Sequence, residues 1–334
     1  MSKKGVKVKE TFDILPEEVA GMLKKKGQPE WTSPMLATLT HETFSRENWI
    51  FERKLDGERC LAFKKGSDVR LMSRNRKVMN DHYPEIREAI AAQDHDFVVD
   101  GEIVAFDGNL TSFSKLQPRM HSSEPDLDVK VYYYTFDMIY LDGYDLSGIG
   151  LRHRKALLKE VLTFGHENLR FTAHRNREGE EFLEEAREKG WEGLIAKEGN
   201  SRYIHKRSKK WLKFKVENQQ ELVICGYTAP GGSRKHFGAL IVGFYEGGKL
   251  KHAGKVGTGY DEETLERMHG KMKPLERENV PFEEDPAYNN ATWLKPELVG
   301  EFRFTEWTGE NKLRHPSFLG LRDDKQAVDV RKEQ

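Results

Sequence analysis

The chain has 334 residues, 37% hydrophobic and 10% aromatic, enough to bury a core and a length that suits two domains better than one or three. Its 55 Lys and Arg balance 55 Asp and Glu, so net charge alone gives no sign of a polyanionic partner. No run approaches the roughly 18 apolar residues of a membrane span, the lysine-bearing start lacks a signal-peptide core, and two cysteines, Cys60 and Cys225, can build neither a disulfide framework nor a four-cysteine zinc site. The expectation is a soluble, cytoplasmic monomer with no membrane partner.

Residues 1–30 are polar and lysine-rich with one weak helical pattern near 15–23, and they read as a lead-in. From Trp31 to about residue 216, β-rich runs starting at Trp49, Cys60, Val69, Phe97, Val131, Leu194 and Trp211 alternate with helical periodicity over 83–92, 152–162 and 179–189. Mixed turns rather than regular crossover helices join the strands, which predicts an α+β domain and argues against a doubly wound sheet. At 217–220 the chain turns wholly polar. Beyond it, strands over 221–228, 238–256 and 298–308, a Glu246-Gly247-Gly248 hairpin turn and one helical pattern over 261–272 predict an all-β, five-stranded OB-type barrel. The expected domains are 31–216 and 217–334.

Charge is unevenly spread. Between Lys197 and Lys215 stand eight Lys or Arg against one acid, Glu198, with Tyr203, His205, Trp211 and Phe214 interleaved. Such a strip suits phosphates, and it equally suits a solvated loop and edge strand. Lys213 and Lys215 alternate with Leu212 and Phe214, so on a strand both lysines share one face. Lys54 ends a β-like run and precedes an Asp-Gly turn and Arg59. An amine attacks phosphorus only when neutral, and a pKa near 10.4 leaves roughly one in a thousand neutral at pH 7.4, so nearby cations must favour the neutral form. Alone, Lys-x-Asp-Gly is more often a surface turn.

Further clusters follow in order: Ser73-Arg74-Asn75, Asp100-Gly101-Glu102, Phe136-Asp137, Glu192 to Lys197, Trp211 to Lys215, and finally Arg314 to Phe318 with Arg322 to Lys325. The ordered set resembles the nucleotidyltransferase motifs of the superfamily of ATP-dependent DNA ligases, RNA ligases and mRNA capping enzymes. Within it, the stretches 49–63, 136–143, 191–197, 221–260 and 313–325 resemble the small bacterial ATP-dependent DNA ligases, especially the ligase module of bacterial non-homologous end joining.

That resemblance implies an α+β adenylyltransferase (nucleotidyltransferase) domain followed by an OB-fold domain. It also implies ATP-dependent sealing of nicks or breaks in duplex DNA through a lysyl-AMP intermediate and adenylylated DNA, in repair or end joining. Lys54 is the implied nucleophile, Glu52 the adenine contact, Arg59 and Arg74 the ribose and phosphate contacts, and Phe136 the ring stacked on the base. Glu102, also in the nucleotide site, and Glu192 are the implied carboxylates for Mg2+, with Mn2+ as an alternative. Lys213 and Lys215 face the phosphates, while Arg314 and Lys325 in the second domain reach them only if that domain closes over ATP. Arg76 stands where the family pattern has glycine. Candidate DNA contacts, chiefly to phosphates, are Lys115, Gln117 and Arg119, then Arg202, Lys206, Arg207 and Lys209, and Arg234 with Lys235. Nicked duplex DNA is the expected partner, with end-joining or repair proteins beside it.

An RNA ligase or a GTP-using capping enzyme is disfavoured by the second domain and the final motifs. NAD use is disfavoured by the missing four-cysteine module. A catalytically dead binding module would form no lysine-linked AMP, and the retention of every expected catalytic residue argues against it.

Overall fold

The computed structural model describes residues 11–40, 42–120, 125–216, 218–231 and 235–333. The chain divides into two compact units, Met1–Val216 and Glu217–Gln334. In chain order the main strands of the first are β1 (Leu36–Leu39), β2 (Trp49–Arg53), β3 (Glu58–Lys65), β4 (Asp68–Ser73), β5 (Phe97–Asp107), β6 (Val131–Leu141), β7 (Leu169–Phe171), β8 (Gly193–Glu198) and β9 (Arg207–Lys215). Its helices are α1 (Pro84–Ala91), α2 (Phe113–Met120), α3 (Leu151–Val161) and α4 (Gly179–Glu188).

Two sheets result. The first runs β6-β5-β3-β4, all antiparallel, with β7 added parallel to β6. The second runs β2-β8-β9, antiparallel, with β1 parallel to β9. Period-two alternation sorts their side chains. Cys60 and Ala62 of β3 enter one core with residues of α1 and α3, whereas Leu61 and Phe63 join Ile50 and Trp211 of the second sheet in another. The far face of the second sheet, with Phe51, Leu194, Ala196 and Phe214, packs on Phe182, Leu183 and Ala186 of α4. The two sheets therefore face each other across a shared apolar layer, and the polar motif residues border it.

Two local expectations change. Residues 11–30 are integrated rather than a lead-in: Leu15 is buried, Lys24–Lys25 pairs with Tyr144–Asp145 as an edge strand, and the Gln28 amide donates to the carbonyls of Lys64 and Phe97 at 2.9 and 2.8 Å. Helix α2 is the second: it forms where no helical pattern is predicted, and it carries an internal proline, Pro118. The Ser112 hydroxyl accepts from the Lys115 N–H at 3.4 Å and the Asp56 carboxylate from the Phe113 N–H at 2.9 Å, so orphan donors of the first turn are satisfied.

The second unit holds β10 (Asn218–Thr228), β11 (Leu240–Glu246), β12 (Lys249–Val256), α5 (Glu262–Met272), β13 (Ala291–Phe304) and β14 (Ser317–Leu321), with sheet order β12-β11-β10-β13 and β14 on β13. Glu246 pairs with Lys249, leaving Gly247-Gly248 as a two-residue loop at φ +58° and +79°, the left-handed pair that a tight hairpin demands. Asp261 caps α5, accepting from the Thr264 N–H at 2.7 Å. This is the OB-fold domain, built of five main strands with the helix between the third and fourth. Among the described residues no helix is long and apolar enough to cross a membrane.

Candidate nucleotide site

Lys54 leaves β2 with its N–H donating to the Gly193 carbonyl at 2.9 Å, and its ammonium is in ion-pair contact with Glu192. The backbone there is packed too closely for a side chain. A Cβ on Gly193, at φ +147°, would lie 2.0 Å from the Phe214 carbonyl oxygen, and one on Gly57 would lie 2.2 Å from that of Ile103. Asp56 ties the same turn to α2, because its own N–H donates to the Thr111 hydroxyl at 3.0 Å while its carboxylate holds Phe113.

Strand register assembles the rest. Glu52, Ile195 and Lys213 lie abreast across β2, β8 and β9, Lys197 lies opposite Trp211, and Lys215 lies opposite Gly193, so these positions share the face turned to the first sheet. On the facing sheet Arg59 stands opposite half-buried Glu102, and Leu61 opposite Asp100. Asp100 pairs with Asp137 and Gly101 with Thr135, which leaves Phe136 as the extra residue of a β-bulge. Its ring, 7% exposed, meets Trp211 edge-on at 6.1 Å and carries the Lys197 ammonium 4.0 Å and the Arg59 guanidinium 4.6 Å from its centroid. A base taking a cation-bearing face of this ring has to displace that cation.

The charges are tightly ordered. Arg59 is a bidentate partner of Asp100, at 2.5 and 2.7 Å, and donates to the Met35 carbonyl at 3.1 Å. Tyr203 donates to the same carboxylate at 2.6 Å. Burial alone would weaken the guanidinium's hold on its proton, but Asp100 raises it further than burial lowers it. Glu52, 2% exposed, sits between Lys155, 2.6 Å from Oε1, and Lys197, 2.6 Å from Oε2. Burial would raise this carboxyl, and the two lysines together hold it below its ordinary range. Lys197 is pushed down to about 8 by burial, with Lys155 adding to the effect and Glu52 opposing it. Burial, then Lys155, pushes His174 down to about 4.

Buried side-chain atoms without a well-formed hydrogen bond include both Glu192 oxygens, Lys197 Nζ, Trp211 Nε1 and His174 Nδ1. Two of these groups are ion-paired, Glu192 with Lys54 and Lys197 with Glu52, yet their geometry leaves hydrogen-bonding capacity unused. Native interiors rarely leave such groups unsatisfied without a ligand, ion or water to meet them. The buried Glu192 carboxylate, with Glu102 on the opposite sheet, fits a Mg2+ that takes one or two carboxylates and completes its shell with phosphates and water. Among the described residues no three-residue His, Cys, Asp or Glu cluster exists to hold an ion unaided.

Sequence reasoning singled out Glu52, Lys54, Arg59, Glu102, Phe136, Glu192, Lys213 and Lys215, and all lie on these facing sheets or the turns that leave them. It missed Lys155, Asp100, Lys197 and Tyr203 as partners of those residues. A signal existed for Lys155: Leu151, Arg154, Lys155 and Leu158 fall at helical spacing on one stripe, so two cations occupy core positions.

Arg74 follows β4, half-buried, and its turn forms despite the missing glycine. Arg76 takes the left-handed conformation, φ +63°, and donates its N–H to the Ser73 carbonyl at 3.0 Å. Two candidate DNA contacts are corrected: Gln117 and Arg119 are buried. Arg119 donates to both Glu85 oxygens, at 2.6 and 2.7 Å, and to the His82 carbonyl at 3.0 Å, so it binds α2 to α1 and presents nothing to a phosphate. Lys115 is exposed, 4.0 Å from Asp107, and Arg202, Lys206, Arg207, Lys209 and Lys235 are exposed. Arg234 lies outside the described residues. In the second unit Arg314 is exposed, while Lys325 is half-buried and paired with Glu221 at 2.8 Å.

The family model of the ATP dependent DNA ligase domain matches residues 34–215, and that of the ATP dependent DNA ligase C terminal region matches 233–325. The multifunctional non-homologous end joining protein LigD of Pseudomonas aeruginosa is 34% identical over 315 residues, covering 92% of this chain and 37% of that protein. The LigD of Mycobacterium tuberculosis is 37% identical over 312 residues, covering 90% and 40% respectively. The chain thus spans about 40% of the length of these relatives. A solved structure of mycobacterial DNA ligase D complexed with ATP and MES aligns with TM-score 0.67 at 36% identity, over 90% of this chain and 98% of that one. The ligase domain of M. tuberculosis LigD aligns with TM-score 0.50 at 37% identity over the same shares. On these matches and on the two-domain fold, the chain belongs to the ATP-dependent DNA ligase family.

Proposed function

We propose that this chain seals nicks in duplex DNA with ATP, in repair or end joining, using Lys54 as the nucleophile. In the first step the neutral Lys54 amine attacks the α-phosphorus, an N–P bond forms as the bond to the bridging oxygen breaks, pyrophosphate leaves, and the amine's proton passes to solvent. In the second, a 5′-phosphate oxygen at the nick attacks the same phosphorus and lysine departs, taking back a proton. In the third, the adjacent 3′-hydroxyl attacks the DNA phosphorus, AMP leaves, and the hydroxyl proton is released. AMP turns a poor phosphate leaving group into a good one, so one cationic cleft serves all three displacements.

Lys213 and Lys215 line the phosphate side, where their charge disfavours a third ammonium at Lys54, while Glu192 pulls the other way. Glu52 and Phe136 take the base, Arg59 and Arg74 the ribose and phosphate. Glu102 and Glu192 would hold Mg2+, which supplies charge neutralisation at the phosphates when bound. Arg314 and Lys325, in the OB domain, would serve the pyrophosphate side only on closure of that domain over ATP. Lys115, Arg202, Lys206, Arg207, Lys209 and Lys235 meet the DNA backbone. Monomeric action on nicked DNA, with end-joining or repair proteins as partners in the cell, follows from the same reading.

The observation that carries it is the convergence of Lys54, paired with Glu192, and the cationic and aromatic motif residues on two facing sheets. Incubation with α-labelled ATP, GTP or NAD and Mg2+, then a chase with nicked DNA or nicked RNA, tests it. The expected result is a covalent label from ATP alone that nicked DNA discharges with sealing. Labelling by GTP, or preferential discharge by RNA, would move the protein to the capping enzymes or RNA ligases.

A further inference from the structure

Helix α3 places two adjacent cations, Arg154 and Lys155, on its inward stripe, and both are buried. A buried ammonium is unfavourable unless it is paired and hydrogen-bonded. Lys155 Nζ donates to Glu52 Oε1 at 2.6 Å and to the Thr172 carbonyl at 3.0 Å, so it is tied at two points from a packed helix. Lys197, on the other Glu52 oxygen, is held differently. Its Nζ makes no well-formed hydrogen bond and rests 4.0 Å from the Phe136 centroid and 4.1 Å from that of Trp211. Lys155 is thus the fixed anchor of the carboxylate, while Lys197 occupies ring surface that a base would use.

An ionised, immobile carboxylate is an acceptor only. It satisfies an incoming 6-amino group and leaves a 6-oxo group facing it unpaired, which is how buried polar groups discriminate. We infer that Lys155 is a positioning residue for base recognition: from α3 it fixes Glu52 as the acceptor that selects a 6-amino purine nucleotide, without touching the nucleotide itself. The inference rests on the cleft being the ATP site proposed above.

The test measures lysine-linked nucleotide formation with labelled ATP and with labelled inosine triphosphate in the parent, Lys155→Met, Lys155→Gln and Lys155→Arg. In Lys155→Met the KM for ATP is expected to rise about tenfold with kcat changed less than about twofold, and the preference for ATP over inosine triphosphate to shrink about tenfold; Lys155→Arg is expected to restore most of both. Should the methionine variant fail to fold, Lys155→Gln, a neutral donor, carries the same measurement. Unchanged KM and unchanged preference would overturn the inference, and so would an equal loss of kcat with both nucleotides, the mark of a purely structural role. A parent that takes no label from ATP would overturn the ligase reading and this inference together, whereas a labelled parent with unaltered selectivity in the variants would overturn the inference alone.

Discussion

Burial of His174 couples the stability of the first domain to pH. Its imidazole is partly buried near Lys155 and its pKa is pushed down to about 4, below the ordinary 6.5 that it regains on unfolding. As pH falls through that window the unfolded chain binds the proton first, so stability present above about pH 6.5 is lost progressively toward pH 4. Allowing for partial exposure, the loss between pH 7 and pH 5 attributable to this group is about 1 kcal/mol. Urea melts at the two pH values measure it: His174→Gln is expected to flatten the difference by that amount, and an unaltered pH dependence in the variant would count against the assignment. Residue-level chemistry of this kind is poorly legible in sequence, since nothing near His174 in the chain announces Lys155 or Glu52.

At the level of elements, a buried arginine joins a helix to a sheet. Arg154 of α3 grips Asp137 of β6 at 2.7 and 2.8 Å, both residues at 0% exposure, directly beside Phe136. Arg154→Leu strands a buried carboxylate and is expected to destabilise by roughly 3–5 kcal/mol in denaturant melts, with Asp137→Asn in that background recovering part of it; a loss below about 1 kcal/mol would show the pair to be dispensable. Much of this layer was legible. β-rich runs marked β2 to β6, β8 and β9, helical spacing marked α1, α3, α4 and α5, and the Gly247-Gly248 loop marked the β11–β12 hairpin. Helix α2 was hidden because Pro118 argues against it and because its stabilising contact, Asp56 on Phe113, spans 57 positions. A still longer separation hid the Lys155–Glu52 pair, 103 positions apart. Ordered motifs exposed the residues gathered on the two facing sheets, but not those holding them in place.

At the scale of the whole molecule, equal numbers of acids and bases conceal an uneven surface. Arg202, Lys206, Arg207 and Lys209 are exposed in one segment, and cations of this type that neutralise backbone phosphates release counterions. Arg207→Ala with Lys209→Ala is expected to lower the slope of log K against log salt for nicked DNA by about 1 for each phosphate no longer neutralised, leaving ATP labelling intact. An unchanged slope would remove this strip from the DNA interface. The central assignment, however, is Lys54, and its most direct measurement is the site of AMP attachment. After incubation with ATP and Mg2+, peptide mapping is expected to find AMP on Lys54. Lys54→Ala should form no adduct and seal no ordinary nick while melting like the parent and still closing a nick already adenylylated. AMP on another residue, or vigorous labelling of the variant, would contradict the assignment.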